Sequence, residues 1–142
     1  MNRGIDLRIE RDVAASPERL WQCLKRRELL AEWFFAVDFE PIPGHRFTIL
    51  GDAVPGWRGW TNVEVIELDP PRRMVWAFDC TSEAPPSRVT FSIEPIESGC
   101  RLVITHEGEA PGLTCRLLKA GWTDYSKRLA ALAPLVPGQF AP

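Results

Sequence analysis

The spacing of hydrophobic positions changes twice along the chain and divides it into a strand, two short helices, a run of strands and a long helix. Over 5–13, Ile5, Leu7, Ile9 and Arg11 alternate with Asp6, Arg8, Glu10 and Asp12, which predicts a strand with one wet face. Ser16-Pro17 predicts a helix start, because a Ser side chain caps free amides and Pro at the first helical position loses no hydrogen bond. Pro17, Leu20, Trp21 and Leu24 then form one apolar stripe over two turns. A second short helix is expected over 28–34, ending in the aromatic group Trp33, Phe34 and Phe35.

Pro41, Pro43 and Gly44 break this pattern, and four or five strands are expected from there to about residue 107. The first covers 45–50, and the Gly- and Pro-containing stretch 51–56 separates it from a longer one at 58–68. Asp69-Pro70-Pro71 turns the chain into 73–81, where Met74, Trp76, Phe78 and Cys80 share a face. After a turn at 83–86, Val89, Phe91 and Ile93 share one side of 88–94. Glu97-Ser98-Gly99 leads into 101–107, with Leu102, Ile104 and His106 on one side. These are the hairpins of an antiparallel meander with one buried face. Beyond Pro111-Gly112 the period becomes 3.6: Leu113, Leu117, Gly121, Trp122, Tyr125, Leu129 and Leu132 fall on one helical face, with Arg116, Lys119, Lys127 and Arg128 mostly off it. Pro134 and Pro137 end that helix, and Phe140 in the tail is a candidate to dock.

Length and charge narrow the reading. At 142 residues and 45% hydrophobic the chain forms one domain, 1–142, with a core over about 5–133 and a tail over 134–142. No apolar run approaches the ~18 residues of a membrane span. The charges at Arg3, Asp6, Arg8, Glu10, Arg11, Asp12, Glu18 and Arg19 exclude a secretory leader over the first twenty residues, so a cytoplasmic location is expected. With 17 Lys+Arg against 19 Asp+Glu, the chain lacks the basic excess of a nucleic-acid protein. Lys25-Arg26-Arg27 is expected at a helix C-terminus, where cations oppose the dipole. Cys23, Cys80, Cys100 and Cys115 are too scattered for a zinc site with His45 or His106, and Cys23 and Cys80 are placed as small apolar fillers.

The chain resembles the START-like superfamily of helix-grip proteins, and within it the bacterial relatives of the C-terminal domain of the activator of Hsp90 ATPase. The resemblance is carried by Ala15-Ser16-Pro17-Glu18 with Leu20-Trp21, Glu32-Trp33-Phe34, Pro43-Gly44 with Phe47, and Asp69-Pro70-Pro71-Arg72-Arg73. The Trp76 strand, Thr105-His106-Glu107-Gly108 and Gly121-Trp122 complete it. The family often has a second glycine where this chain has His45. The resemblance implies an α+β fold: a curved antiparallel sheet of six or seven strands wrapped around a long C-terminal helix, with two short helices after the first strand. It also implies an apolar cavity between sheet and helix. Many members hold a lipid, sterol, polyketide or other hydrophobic compound there.

Six Trp and seven Phe make a large aromatic inventory. Trp76, Phe78, Phe91, Ile104 and Trp122 are expected where sheet and helix face one another, with Phe47 and Leu117 beside them. Such residues suit a flat hydrophobic ligand, but a filled core uses the same types. Trp33 and Phe34 either form a lid or anchor the short helix. His106 follows Leu102 and Ile104 on the inward face and needs a partner there, either backbone, a carboxylate or a ligand. Glu64 and Asp79 are further polar candidates. No nucleophile–base pair, metal set or phosphate loop is visible, the glycines of 51–59 lack the P-loop order, and no cofactor or metal is expected. The expected partner is a hydrophobic small molecule, with the chain a monomer or homodimer. The alternatives are a protein-interaction module related to a chaperone ATPase activator, or a small cyclase or hydrolase using His106.

Overall fold

The computed structural model describes residues 1–137. The elements run β1 (Asn2–Val13), α1 (Pro17–Lys25), α2 (Arg27–Trp33), β2 (Arg46–Leu50), β3 (Trp60–Asp69), β4 (Arg73–Asp79), β5 (Ser87–Ile96), β6 (Gly99–Pro111) and α3 (Gly112–Leu132), followed by a 3-10 turn, Ala133–Leu135. The six strands form one antiparallel sheet in the order β1-β6-β5-β4-β3-β2. Strands β2 to β6 are a meander, and β1 pairs with β6 over its whole length, from Asn2 opposite Pro111 to Val13 opposite Cys100. The sheet is curved and open, and α3 crosses its inner face with α1 and α2 beside it, which is the helix-grip arrangement.

Local signals place these elements as expected. Ser16 caps α1, its Oγ accepting from the Arg19 amide at 3.3 Å, and Pro17 opens the helix. Leu20, Trp21, Cys23 and Leu24 are its buried side. Strand parity also holds: Val63 and Val65 on β3, Met74, Trp76 and Phe78 on β4, Val89, Phe91 and Ile93 on β5, and Leu102, Ile104 and His106 on β6 all point into the core. Glu64 and Asp79 face the other side, paired with Arg46 and Arg58 at 3.1 and 3.4 Å. All four cysteines are free thiols, and burial pushes Cys23 up to about 12 and Cys100 up to about 11, so both pack as neutral groups. The expectation for Phe140 lies outside the described residues.

The helix α3 departs from the expected stripe in its first two turns. Leu113 and Leu117 remain 40% and 37% exposed, whereas Thr114, Trp122, Ser126 and Leu129 are buried. The reason is the segment between β2 and β3. A Cβ placed on Gly56 would lie 2.8 Å from Leu113 Cγ and 3.0 Å from Leu117 Cδ1, so these leucines pack on that loop instead of on the sheet. Polar ties fix the other end of the helix: Arg11 on β1 donates to Ser126 Oγ at 3.1 Å and to the Thr123 carbonyl at 3.3 Å. Arg19 of α1 donates to the carbonyls of Pro134 and Val136, at 2.6 Å and 2.8 Å, where the chain leaves the helix.

The β5–β6 turn depends on Gly99, which sits at φ +146° with its Cα against the chain leaving β1. A Cβ there would lie 2.2 Å from the Val13 carbonyl oxygen and 2.9 Å from the Ala15 amide nitrogen, both backbone atoms that cannot swing aside. Gly99→Ala is expected to lower the urea-unfolding free energy by ~2–4 kcal/mol without changing the m-value; a loss under about 0.5 kcal/mol would show that the turn relaxes freely.

Candidate functional site

The centre of the grip is solid. Trp33, Trp76 and Phe91 are completely buried, with Trp76 meeting Phe91 at 4.7 Å between ring centroids, Phe47 at 5.5 Å and Phe34 at 5.7 Å. Trp33 donates its indole N–H to the Cys23 carbonyl at 2.8 Å, which anchors the end of α2 to α1. It is an anchor and not a lid.

A cavity of about 220 Å³ opens to one side of this mass, under the first half of α3. Its floor is Phe34, Phe78 and Trp122, with Phe34 and Trp122 stacked at 5.7 Å and 10°. Ile49 and Thr61 come from β2 and β3, and Cys80 follows β4. Leu117, Leu118, Gly121 and Tyr125 come from α3, and Phe35 follows α2. The loop 51–59 supplies the remaining wall through Val54, Gly56 and Trp57. Side-chain hydrogen bonds hold that loop: Thr114 Oγ1 donates to the Gly56 carbonyl at 2.6 Å, Trp57 Nε1 donates to Thr61 Oγ1 at 3.0 Å, and the Arg58 guanidinium donates to the Asp79 carbonyl at 2.7 Å. Among the described residues no charged side chain lines the cavity. Burial raises the Cys80 thiol and the Tyr125 phenol above their ordinary ranges, so both line it in neutral form.

Four of the candidates named from sequence therefore meet at the cavity: Phe34, Phe78, Leu117 and Trp122. Trp33, Phe47, Trp76, Phe91, Ile104 and His106 are packed behind its wall as core, because the centre of the sheet is filled by rings interlocking edge to face. From sequence, 51–56 reads as a separator and the next strand starts at 58, which misses the wall that the loop 51–59 supplies before β3 begins at Trp60. The apolar pair Val54 and Trp57 within a Gly-rich stretch was the available signal. Thr61 was also legible, two residues before inward-facing Val63.

His106 is fully buried, and its two ring nitrogens are both engaged inside the protein. Trp122 Nε1, which can only donate, lies 2.9 Å from Nδ1, so Nδ1 is the unprotonated nitrogen. The proton is then on Nε2, which donates to Ser87 Oγ at 2.6 Å, and Ser87 Oγ donates to the Phe78 carbonyl at 3.1 Å. Donation runs one way, from α3 through β6 and β5 to β4. Gly108 makes the approach possible: it sits at φ +147°, and a Cβ there would be 2.7 Å from Ser87 Cβ. A protonated imidazole would set an N–H against the indole N–H, and burial pushes the His106 pKa down to about 4. The partners are a hydroxyl and an indole, not the backbone or carboxylate expected. Both ring nitrogens are thus engaged inside the protein, and His106 is not among the residues that line the cavity.

The sheet, the gripped helix and the apolar cavity between them together define a START-like helix-grip protein. The family model described as activator of Hsp90 ATPase homolog 1-like protein matches residues 14–133, and the chain belongs to that family. Among solved structures it is similar to protein MLL2253 from Mesorhizobium loti, with 28% identity, 95% of this chain and 99% of that one covered, and a TM-score of 0.79. Protein CV1439 from Chromobacterium violaceum is 23% identical over 91% and 96% of the two chains, with a TM-score of 0.76. DynU16, a putative protein in the dynemicin biosynthetic locus, shares the fold at 22% identity and a TM-score of 0.73; the match covers 96% of this chain and half, 50%, of DynU16. No curated protein matches the sequence. No helix among the described residues is long and apolar enough to cross a membrane.

The His106 chain sets a pH dependence. The unfolded imidazole titrates near its ordinary 6.5 and the folded one near 4, so between those values the unfolded state binds a proton that the folded state does not. This contribution to stability is complete above about pH 7 and is lost as pH falls toward 4, by on the order of 3 kcal/mol. His106→Leu is expected to be less stable at pH 7, because it leaves the Trp122 N–H without an acceptor and Ser87 Oγ without its donor, and to lose less on acidification. Equal slopes of unfolding free energy against pH for the two proteins would show that His106 does not titrate in this way.

Proposed function

We propose that the protein binds an uncharged, flat hydrophobic molecule of one or two rings, carrying at most a hydroxyl- or carbonyl-type polar group, in the cavity beneath α3. The observation that carries this reading is the lining: aromatic and aliphatic walls with Thr61, Cys80, Thr114 and Tyr125 as the polar side chains and no charge. Burying an unpaired charge there would cost several kcal/mol, so an ionised ligand is disfavoured. Size narrows the class further. At about 220 Å³ the space exceeds the ~150 Å³ that admits benzene and falls short of the ~300 Å³ at which drug-sized sites begin, which favours one or two rings over a sterol or an acyl lipid held whole. The fold and family support a ligand in this position. Binding without turnover is favoured because no lining side chain is poised as a base or an activated nucleophile.

Native mass spectrometry of freshly purified protein, compared with its denatured mass, is the direct experiment: a reproducible extra mass that extracts into organic solvent supports the reading and identifies the ligand class. Calorimetry with simple probes tests it independently. 2-Naphthol is expected to bind, naphthalene-2-sulfonate to bind at least about tenfold more weakly, and Gly121→Leu to abolish binding of both by filling the space. Equal affinity for the sulfonate, or binding that survives Gly121→Leu, would place the probe elsewhere and overturn the assignment.

A further inference from the structure

The sheet ends on one side at β1, which is hydrogen-bonded to β6 and to no strand beyond it. Along this free edge, between β1 and the first turns of α3, runs a groove of about 510 Å³ whose walls include Arg3, Ile5, Leu7, Gly112, Arg116 and Lys119. Its charge is one-sided. Arg3, Arg116 and Lys119 are exposed, and none makes a salt bridge or a side-chain hydrogen bond within the described residues. Elsewhere on the same surfaces the arginines are paired: Arg8 with Glu10, Arg101 with Asp12, and Arg128 with Asp124. The Arg3 Nε lies 3.2 Å from where a Cβ on Gly112 would stand, so a guanidinium sits over the start of α3, and the first turn of that helix carries no acidic residue. Three cations and the positive end of a helix dipole are thus gathered with only Asp6 lining the groove in opposition, and Asp6 alternates to the other face of β1, opposite Glu107.

We propose that this groove receives an extended acidic peptide segment of a partner protein, which adds to the outer edge of β1 as a seventh strand while its carboxylates meet Arg3, Arg116 and Lys119. Apart from the Arg3 carbonyl, which accepts from Cys115 Sγ at 3.8 Å, the edge supplies main-chain hydrogen bonds, and the cations supply the preference for acid. A second copy of this chain is a poor occupant, because pairing through the groove would bring two basic rims together. The surface lies outside the apolar cavity, so the inference is independent of the ligand assigned there.

The probe is a fluorescein-labelled octapeptide of alternating Glu and Val, titrated with the full chain and followed by anisotropy at low salt. Binding is expected, with about tenfold weakening in Arg116→Glu/Lys119→Glu, further loss on adding Arg3→Glu, and none for the Lys–Val octapeptide. These side chains are exposed and unpaired, so unchanged thermal unfolding of the variants is the control for folding. Peptides N-methylated at every Val or at every Glu block one strand edge each, and one of the two should fail to bind. Three results would each overturn the proposal: no binding of the acidic peptide, undiminished binding to the triple variant, or equal binding of both N-methylated peptides. Complete competition by millimolar inorganic phosphate would also overturn it, since it would reduce the groove to a small-anion site.

Discussion

The grip of the sheet on α3 is organised around one buried polar chain. Trp122 donates to His106, His106 to Ser87, and Ser87 to the Phe78 carbonyl, so one continuous line of donors crosses the helix and three adjacent strands. In an otherwise aromatic interior such a chain is stable only when every member is satisfied, and here each is. Because the direction of donation is fixed by an indole at one end and a carbonyl at the other, it specifies one tautomer, one depth of α3 and one register between β5 and β6. Gly108 supplies the close approach, and the neighbouring rings of Phe78 and Trp122 close the chain off from water.

The cavity follows from where that chain and the aromatic plug put the helix. Trp33, Trp76 and Phe91 occupy the volume between α2 and the middle of the sheet, leaving no room there for a guest. Toward β2 and β3 the small and polar inward residues Thr61, Cys80, Thr114 and Gly121 leave the space unfilled, and loop 51–59 is the wall that finishes it. The departure of the helix from its expected stripe belongs to the same arrangement. Leu113 and Leu117 turn toward Gly56, so the first two turns of α3 serve the loop and the cavity mouth while the later turns serve the sheet.

The outside of the molecule is divided by charge in a way the balanced composition conceals. A net charge of −2 coexists with a basic, unpaired rim along β1 and the start of α3. The interior cavity is lined without charge and the edge groove gathers it, so the two surfaces present different chemistry.

Periodicity and capping make the elements legible in the sequence alone. Ser16-Pro17, the parity of Val89, Phe91 and Ile93, and the change of period at Pro111-Gly112 are local properties, set by the geometry of a strand or a turn of helix, and the structure has each of them. The inward position of His106 was legible for the same reason. What parity does not carry is the occupant of the space ahead of an inward side chain. Trp76 and Phe78 sit two residues apart on one face of β4, yet Trp76 is enclosed by other rings and Phe78 borders a void, because Phe47 and Phe91 pack on Trp76. Nor does it carry the partners of His106, which come from positions 19 residues before it and 16 after it, or the loop wall at Trp57, whose backbone follows no period. Elements are written in near neighbours along the chain; a cavity is written in the distances between residues far apart in it, and those exist only once the sheet has closed on its helix.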